Sequence, residues 1–147
     1  MNVIFQRSAV TLLALISFQF FIIGGTMAMS RKLDATEAVY YSCTAKNNPN
    51  AKRVLCRAVE SHLKANGHNA IKAQFNSESG LHMEFILDVA SKSFLVGRLN
   101  WTECKSGVCS KEYKGSPIEV SVMDAKVSDR SYQSLLKGLF TISKPPL

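Results

Sequence analysis

Cys104 and Cys109 are the residues of this chain whose spacing most directly suggests chemistry. They lie in the segment ECKSGVCS, where the four residues between them include the dipeptide Ser106-Gly107. Thiols at this spacing can form a redox pair, half of a metal site or a structural disulfide. A two-residue turn at Ser106-Gly107 would build a β-hairpin in which the cysteines face each other, within the distance that a disulfide tolerates. We therefore predict a disulfide that stabilises the tip of a hairpin.

The redox and metal interpretations have less support in the sequence. A redox pair favours the spacing Cys-x-x-Cys at the start of a helix, because the helix N-terminus lowers the pKa of the thiol. A zinc site needs a second pair of ligands at short spacing. The three histidines, His62, His68 and His82, do not supply such a pair. The sequence therefore predicts no metal site and no cofactor.

Cys43 and Cys56 lie on either side of the break Asn47-Asn48-Pro49-Asn50. An even number of cysteines in an exported chain favours disulfides over free thiols. Pairing by proximity along the chain joins Cys43 to Cys56 and Cys104 to Cys109. Four cysteines allow three connectivities, so the other two pairings stay open at this point.

His82, Glu84 and Asp88 share the polar face of a predicted strand, because they occupy alternate positions of one sequence segment. Imidazole and carboxylate groups on one face are suited to general acid–base catalysis. A solvated sheet face is the simpler interpretation, and we predict no catalytic residue. A small hydrolase that acts through these three side chains is the alternative, and a deep pocket around His82 would favour it.

Lys52, Arg53, Arg57 and Lys64 are four basic residues of one predicted helix, in a chain with a formal net charge of +7. A single positive patch formed by them would bind anions and would indicate a cationic envelope-surface protein that docks on anionic lipid or polymer. Scattered charge would favour our leading hypothesis, a small binding or accessory protein without its own catalysis. We expect an unknown protein or an anionic surface as partner. Specific nucleic-acid binding is not predicted, because basic and aromatic residues do not interleave.

Residues 1–28 have the pattern of an export signal. Arg7 is followed by the uncharged run Ser8–Ile23, and small residues precede Met29. We predict cleavage near Met29, which leaves one small exported domain at 29–147 with no transmembrane segment. An uncleaved membrane anchor is the alternative. After cleavage the exported domain would be periplasmic or extracellular.

The remaining sequence predicts an α+β fold that begins with helices. Asp34 and Glu37 have the spacing of a capping box and favour a helix up to residue 46, although the sequence Val-Tyr-Tyr at 39–41 favours a strand. A helix over Ala51–Asn66, with Asn50 as N-cap and Gly67 at its end, follows from the repeat of apolar residues every four positions. Together they predict an N-terminal helix or helical hairpin.

An antiparallel β-meander of four to five strands and a C-terminal helix complete the predicted fold. Alternating apolar residues mark strands at His68–Asn76, Leu81–Val89, Ser93–Trp101 and Ile118–Val122. The short connections favour antiparallel neighbours, because a parallel pair needs a longer crossover. Ser128 caps the last helix. The predicted core comprises Leu55, Val59, Leu63, Phe75, Met83, Phe85, Leu87, Val120, Leu135 and Leu139.

Overall fold

A computed structural model describes residues 37–76, 78–123 and 126–147. The predicted export signal and Asp34 lie outside these ranges. Within them the chain forms seven strands and two helices: β1 (Ala38–Ala45), α1 (Pro49–Ala65), β2 (Asn69–Lys72), β3 (Gly80–Ala90), β4 (Phe94–Lys105), β5 (Val108–Cys109), β6 (Tyr113–Lys114), β7 (Ile118–Ser121) and α2 (Asp129–Ser143). The fold therefore combines helices with a sheet, as the sequence predicts.

The sheet is mixed, which differs from the predicted antiparallel meander. Its strand order is β2-β1-β3-β4, and β5, β6 and β7 follow one another along the outer side of β4. β1 runs parallel to both of its neighbours, whereas the pairings made by β4 are antiparallel. The helices contact each other and the sheet, α1 against β1 and β2, and α2 against β4 and β7.

The segment Ala38–Ala45 is a strand, so the predicted first helix is wrong at these residues. Val39, Tyr41 and Cys43 point into the core with at most 5% exposure, and the residues between them face the opposite side of the sheet. Pairing with β3 over Val39–Ala45, and with β2 over Ala38–Tyr41, stabilises this strand. Aromatic and β-branched residues fit a pleated sheet better than a helix, and here that preference prevails over the capping-box spacing.

The connection between β2 and β3 is also different from the prediction. The two strands are not neighbours, because β1 lies between them, and residues 73–76 and 78–79 belong to the connection between the two sides of β1. Gly80 begins β3 at φ +147°, and a Cβ atom there would collide with the carbonyl oxygen of Ala38. Phe75 belongs to this crossover and is 63% exposed, so its predicted place in the core is wrong.

The two helices agree with the sequence in position and buried face. α1 begins two residues earlier than predicted: Asn48, in place of Asn50, is the N-cap, and its side-chain oxygen accepts a hydrogen bond from the Ala51 amide at 2.9 Å. Pro49 follows at the first helical position, where its missing N–H costs nothing. α2 has the predicted cap, Ser128. The predicted core residues are buried except Phe75 and the half-buried Val120.

Tyr41 connects the sheet to α1 and gives the fold an alkaline pH dependence. Burial, and after it the carboxylate of Glu60, raises the pKa of Tyr41 to about 12 from an unfolded value of 10.0. The neutral phenol is therefore favoured in the folded state, and its contribution to stability is complete below pH 10 and is lost as the pH rises towards 12. We expect the free energy of unfolding to fall across this range and to fall less steeply in Tyr41→Phe. Urea denaturation at several pH values measures both slopes, and equal slopes would contradict the assignment.

Candidate functional site

The face of the sheet opposite the helices carries two rows of polar and aromatic side chains. The pairing of β1 with β3, and of β3 with β4, places Tyr40, His82 and Thr102 side by side. The next row on this open face contains Ser42, Glu84 and Asn100. These six side chains alternate along their strands with core residues, so the same periodicity that builds the core also presents them on one surface.

A groove of about 880 Å³ crosses this open face. The two rows form its floor, and the crossover with Gln74 and Phe75 forms one wall. Ser110 and Glu112 lie on the opposite wall, and Lys52 and Lys72 line the part next to β1. The volume is in the range of small-ligand sites in proteins.

His82 lies in the floor of the groove and is only 4% exposed. Its ring stacks on Tyr40 at a centroid distance of 4.7 Å, and the ring of Phe75 meets it edge-on at 5.2 Å. Nε2 lies 2.8 Å from the carbonyl oxygen of Glu78. A carbonyl only accepts hydrogen bonds, so Nε2 carries the proton and donates it.

The other ring nitrogen of His82, Nδ1, is buried and has no hydrogen-bond partner among the described residues. In the neutral ring with Nε2 protonated, Nδ1 is an acceptor. A buried polar atom without a partner costs about 1–3 kcal/mol, and such atoms in native proteins call for a specific explanation. Among the described residues that line the groove, His82 is the one with a buried side-chain atom that lacks a hydrogen-bond partner.

Glu78 holds the crossover over the sheet by two interactions. Its main-chain carbonyl accepts the hydrogen bond from His82, and its side chain lies close to the hydroxyl of Tyr40. The hydrogen bond to Glu78 raises the pKa of Tyr40. The crossover, which forms one wall of the groove, is thus held against His82 and Tyr40 in the groove floor.

The three residues of the hydrolase hypothesis lie on one strand but do not form a catalytic group in the described structure. His82 and Asp88 are six positions apart, which places their Cα atoms about 20 Å from each other. Asp88 accepts a hydrogen bond from Arg98 at 3.0 Å. Glu84 lies beside His82 in the groove. In the described ranges no group of three or more His, Cys, Asp or Glu side chains is arranged to hold a metal ion.

Three of the four basic residues of α1, Arg53, Arg57 and Lys64, lie within about 40° of one another around the helix, and Lys52 lies apart from them. Lys52 lines the groove, whereas Arg53, one position on and thus about 100° further around the helix, donates a hydrogen bond to Asn50 at 2.8 Å. Lys64 forms an ion pair with Glu60, and Arg57 is exposed. The structure therefore divides the predicted anion-binding set between the groove and the outer side of the helix.

Both disulfides have the pairing expected from proximity along the chain. Cys43 is bonded to Cys56, which ties β1 to α1 with the Cα atoms 5.7 Å apart. Cys104 is bonded to Cys109 across the hairpin of β4 and β5. All four cysteines are therefore paired.

Sequence reasoning identified His82 and Glu84 but missed Tyr40, Ser42 and Phe75. Tyr40 and Ser42 belong to a segment that is predicted to be a helix, in which they would not share one face. Phe75 is predicted to belong to the core. The alternation of Tyr40, Ser42 and Thr44 with apolar residues was the available signal.

No protein-family model matches this chain, and no curated protein matches it. In the part of the chain that the structure describes, neither helix combines the length and the apolar character needed to cross a membrane.

Proposed function

We propose that this chain is a small exported, disulfide-stabilised binding or accessory protein that holds its partner in the groove of the open face and carries out no catalysis. The groove itself is the observation that supports this most. It is about 880 Å³ in volume, and its floor contains the buried His82, whose Nδ1 has no partner among the described residues.

Export is part of the proposal. Disulfides form and persist in the periplasm and the extracellular space, whereas reducing systems in the cytosol keep thiols reduced. Both disulfides of this chain stabilise the fold: one ties the sheet to α1, and the other closes a hairpin. The apolar pattern of residues 1–28 supports the same compartment.

A small hydrolase is the second candidate, because His82 and Glu84 share the floor of the groove. Binding is better supported than catalysis for two reasons. A general base needs a ring nitrogen within reach of the proton that it removes. Here Nε2 is engaged by a main-chain carbonyl and Nδ1 is shielded from solvent.

Filling the groove should abolish binding there. A probe set of N-acetyl amino-acid amides and monosaccharides, titrated into the ¹⁵N-labelled protein, is expected to shift the amide signals of Tyr40, Ser42 and Glu84. Ser42→Trp places an indole on the groove floor and should remove these shifts, while Ser134→Trp, the same change at an exposed position of α2, should preserve them. Thr44→Trp is the second blocking variant should Ser42→Trp fail to fold. Shifts scattered over the surface, or shifts that persist in the blocked variants, would refute the groove as the binding site.

A further inference from the structure

The strand β1 has a free edge beside the groove. It pairs with β3 over Val39–Ala45, but its pairing with β2 ends at Tyr41. The last hydrogen bond on the β2 side runs from the Ala73 amide to the Tyr41 carbonyl at 3.0 Å. Beyond it the chain leaves the sheet in the crossover, so the second half of β1 has a neighbour on one side only among the described residues.

Cys43 and Ala45 direct their main-chain groups towards this free edge. Successive residues of a strand point their N–H and C=O groups to alternate sides. Because the Tyr41 carbonyl faces β2, the groups of Cys43 and Ala45 face the same side, where no main-chain partner for them is present in the described ranges. An added strand would therefore find at most two donors and two acceptors; those of the half-buried Ala45 are the more accessible, because Cys43 is only 5% exposed.

The groove runs along this edge, and its charge there is positive. Cys43 and Thr44 line it together with Lys52 and Lys72. Two acidic residues also line the groove: Glu84 lies on β3 beside Ser42, one strand in from the edge, and Glu112 lies on the far wall, near Lys114 at 3.8 Å. An edge with exposed main-chain groups normally invites pairing with another strand, and the two lysines select for acidic side chains in that strand.

We propose that the partner is an extended peptide segment with acidic side chains, which adds to the Cys43–Ala45 edge of β1 as a further strand. This inference rests on the proposed function, since it names the class of partner that the groove holds. Main-chain hydrogen bonds supply affinity in strand addition, and alternate side chains supply specificity. One set of side chains would meet Lys52 and Lys72, and the other set would enter the groove above Ser42 and Thr44.

Two synthetic peptides test this directly: acetyl-(Glu-Thr)₄-amide and its charge-reversed partner acetyl-(Lys-Thr)₄-amide. Titrated into the ¹⁵N-labelled protein, the acidic peptide is expected to shift the amide signals of Cys43 and Ala45 and to slow their hydrogen exchange. Lys52→Glu and Lys72→Glu should each weaken its binding about tenfold, because they replace an attractive charge pair with a repulsive one. Arg57→Glu makes the same charge change on the outer side of α1 and should have less than about a twofold effect.

Binding of both peptides with equal affinity, or acidic-peptide binding that leaves the Cys43 and Ala45 amides unchanged, would overturn strand addition. Failure of the acidic peptide to bind would overturn it as well. If the amino-acid amides and monosaccharides still bind in the groove in that case, the inference about the partner fails and the proposed function stands. If neither kind of probe binds there, both fail.

Discussion

Replacing Phe85 with alanine is expected to lower the free energy of unfolding by about 3–5 kcal/mol. Phe85 lies in the middle of β3 with 0% exposure, and its ring centroid is 5.7 Å from that of Phe140 on α2. The truncation removes apolar contacts and leaves a cavity between sheet and helix, and the surrounding structure collapses into such a cavity only in part. Urea denaturation followed by circular dichroism measures the loss.

Phe75→Ala is the matched control, because it removes the same ring from an exposed position. Phe75 is 63% exposed, so its truncation should cost little more than the edge-on contact of its ring with His82, about 0.5–1.5 kcal/mol. The alternation along residues 71–75 and that along residues 83–89 predict that both phenylalanines belong to the core, so this pair of variants separates the sequence interpretation from the structure. Similar losses for the two variants would show that the crossover packs differently from the structure described here.

The second large effect is expected from removing the disulfide between Cys43 and Cys56. The double alanine variant should lose about 3 kcal/mol, because the bond closes a loop between cysteines separated by 13 positions and thereby restricts the unfolded chain. Both residues are also 5% exposed, so the loss of buried sulfur atoms adds to this value. The free energy of unfolding from urea titrations of the oxidised proteins provides the comparison.

The corresponding variant of the hairpin disulfide, with Cys104 and Cys109 replaced, should lose only about 2 kcal/mol. Its cysteines are 5 positions apart in the chain, and the entropy removed from the unfolded state grows with loop length. Groove binding should persist in this variant below its melting temperature. A larger loss for the hairpin pair than for the Cys43–Cys56 pair would contradict the loop-length argument.

The elements that the sequence predicts correctly are those whose pattern is local. Leu55, Val59 and Leu63 repeat at helical spacing and form the buried face of α1. Met83 and Phe85 alternate with polar residues, and β3 buries them as expected. In both cases one element carries the whole signal, so periodicity is sufficient.

The strand β1 and the parallel pairings could not be derived in this way, because they depend on residues that are distant in the sequence. The capping-box spacing of Asp34 and Glu37 is a local feature of the sequence. The strand at Ala38–Ala45, in contrast, is stabilised by β2 and β3, whose residues lie far from it in the sequence. A short connection between two strands usually joins them as neighbouring antiparallel strands of a hairpin. Here β1 lies between β2 and β3, so the two strands do not form a hairpin.

The groove has the same dependence on distant residues. The alternation of β3 places His82 and Glu84 on a polar face, but a polar face alone is a solvated surface. The groove exists because the crossover passes beside this face and is held there by Glu78 through its contacts with His82 and Tyr40. No short motif in the sequence encodes that arrangement.

Site-specific photo-crosslinking in living cells tests most directly whether the groove is the binding surface. A benzophenone side chain would be introduced at Thr44 in the groove, at Arg57 on the outer side of α1, or at Ser134 on α2, all of which are exposed. We expect a discrete adduct from Thr44, with mass spectrometry locating the linked residue in an extended acidic segment of the partner, and no adduct from the other two positions. Adducts from Arg57 without any from Thr44 would place the interaction on the basic side of α1 and would contradict a groove-binding protein.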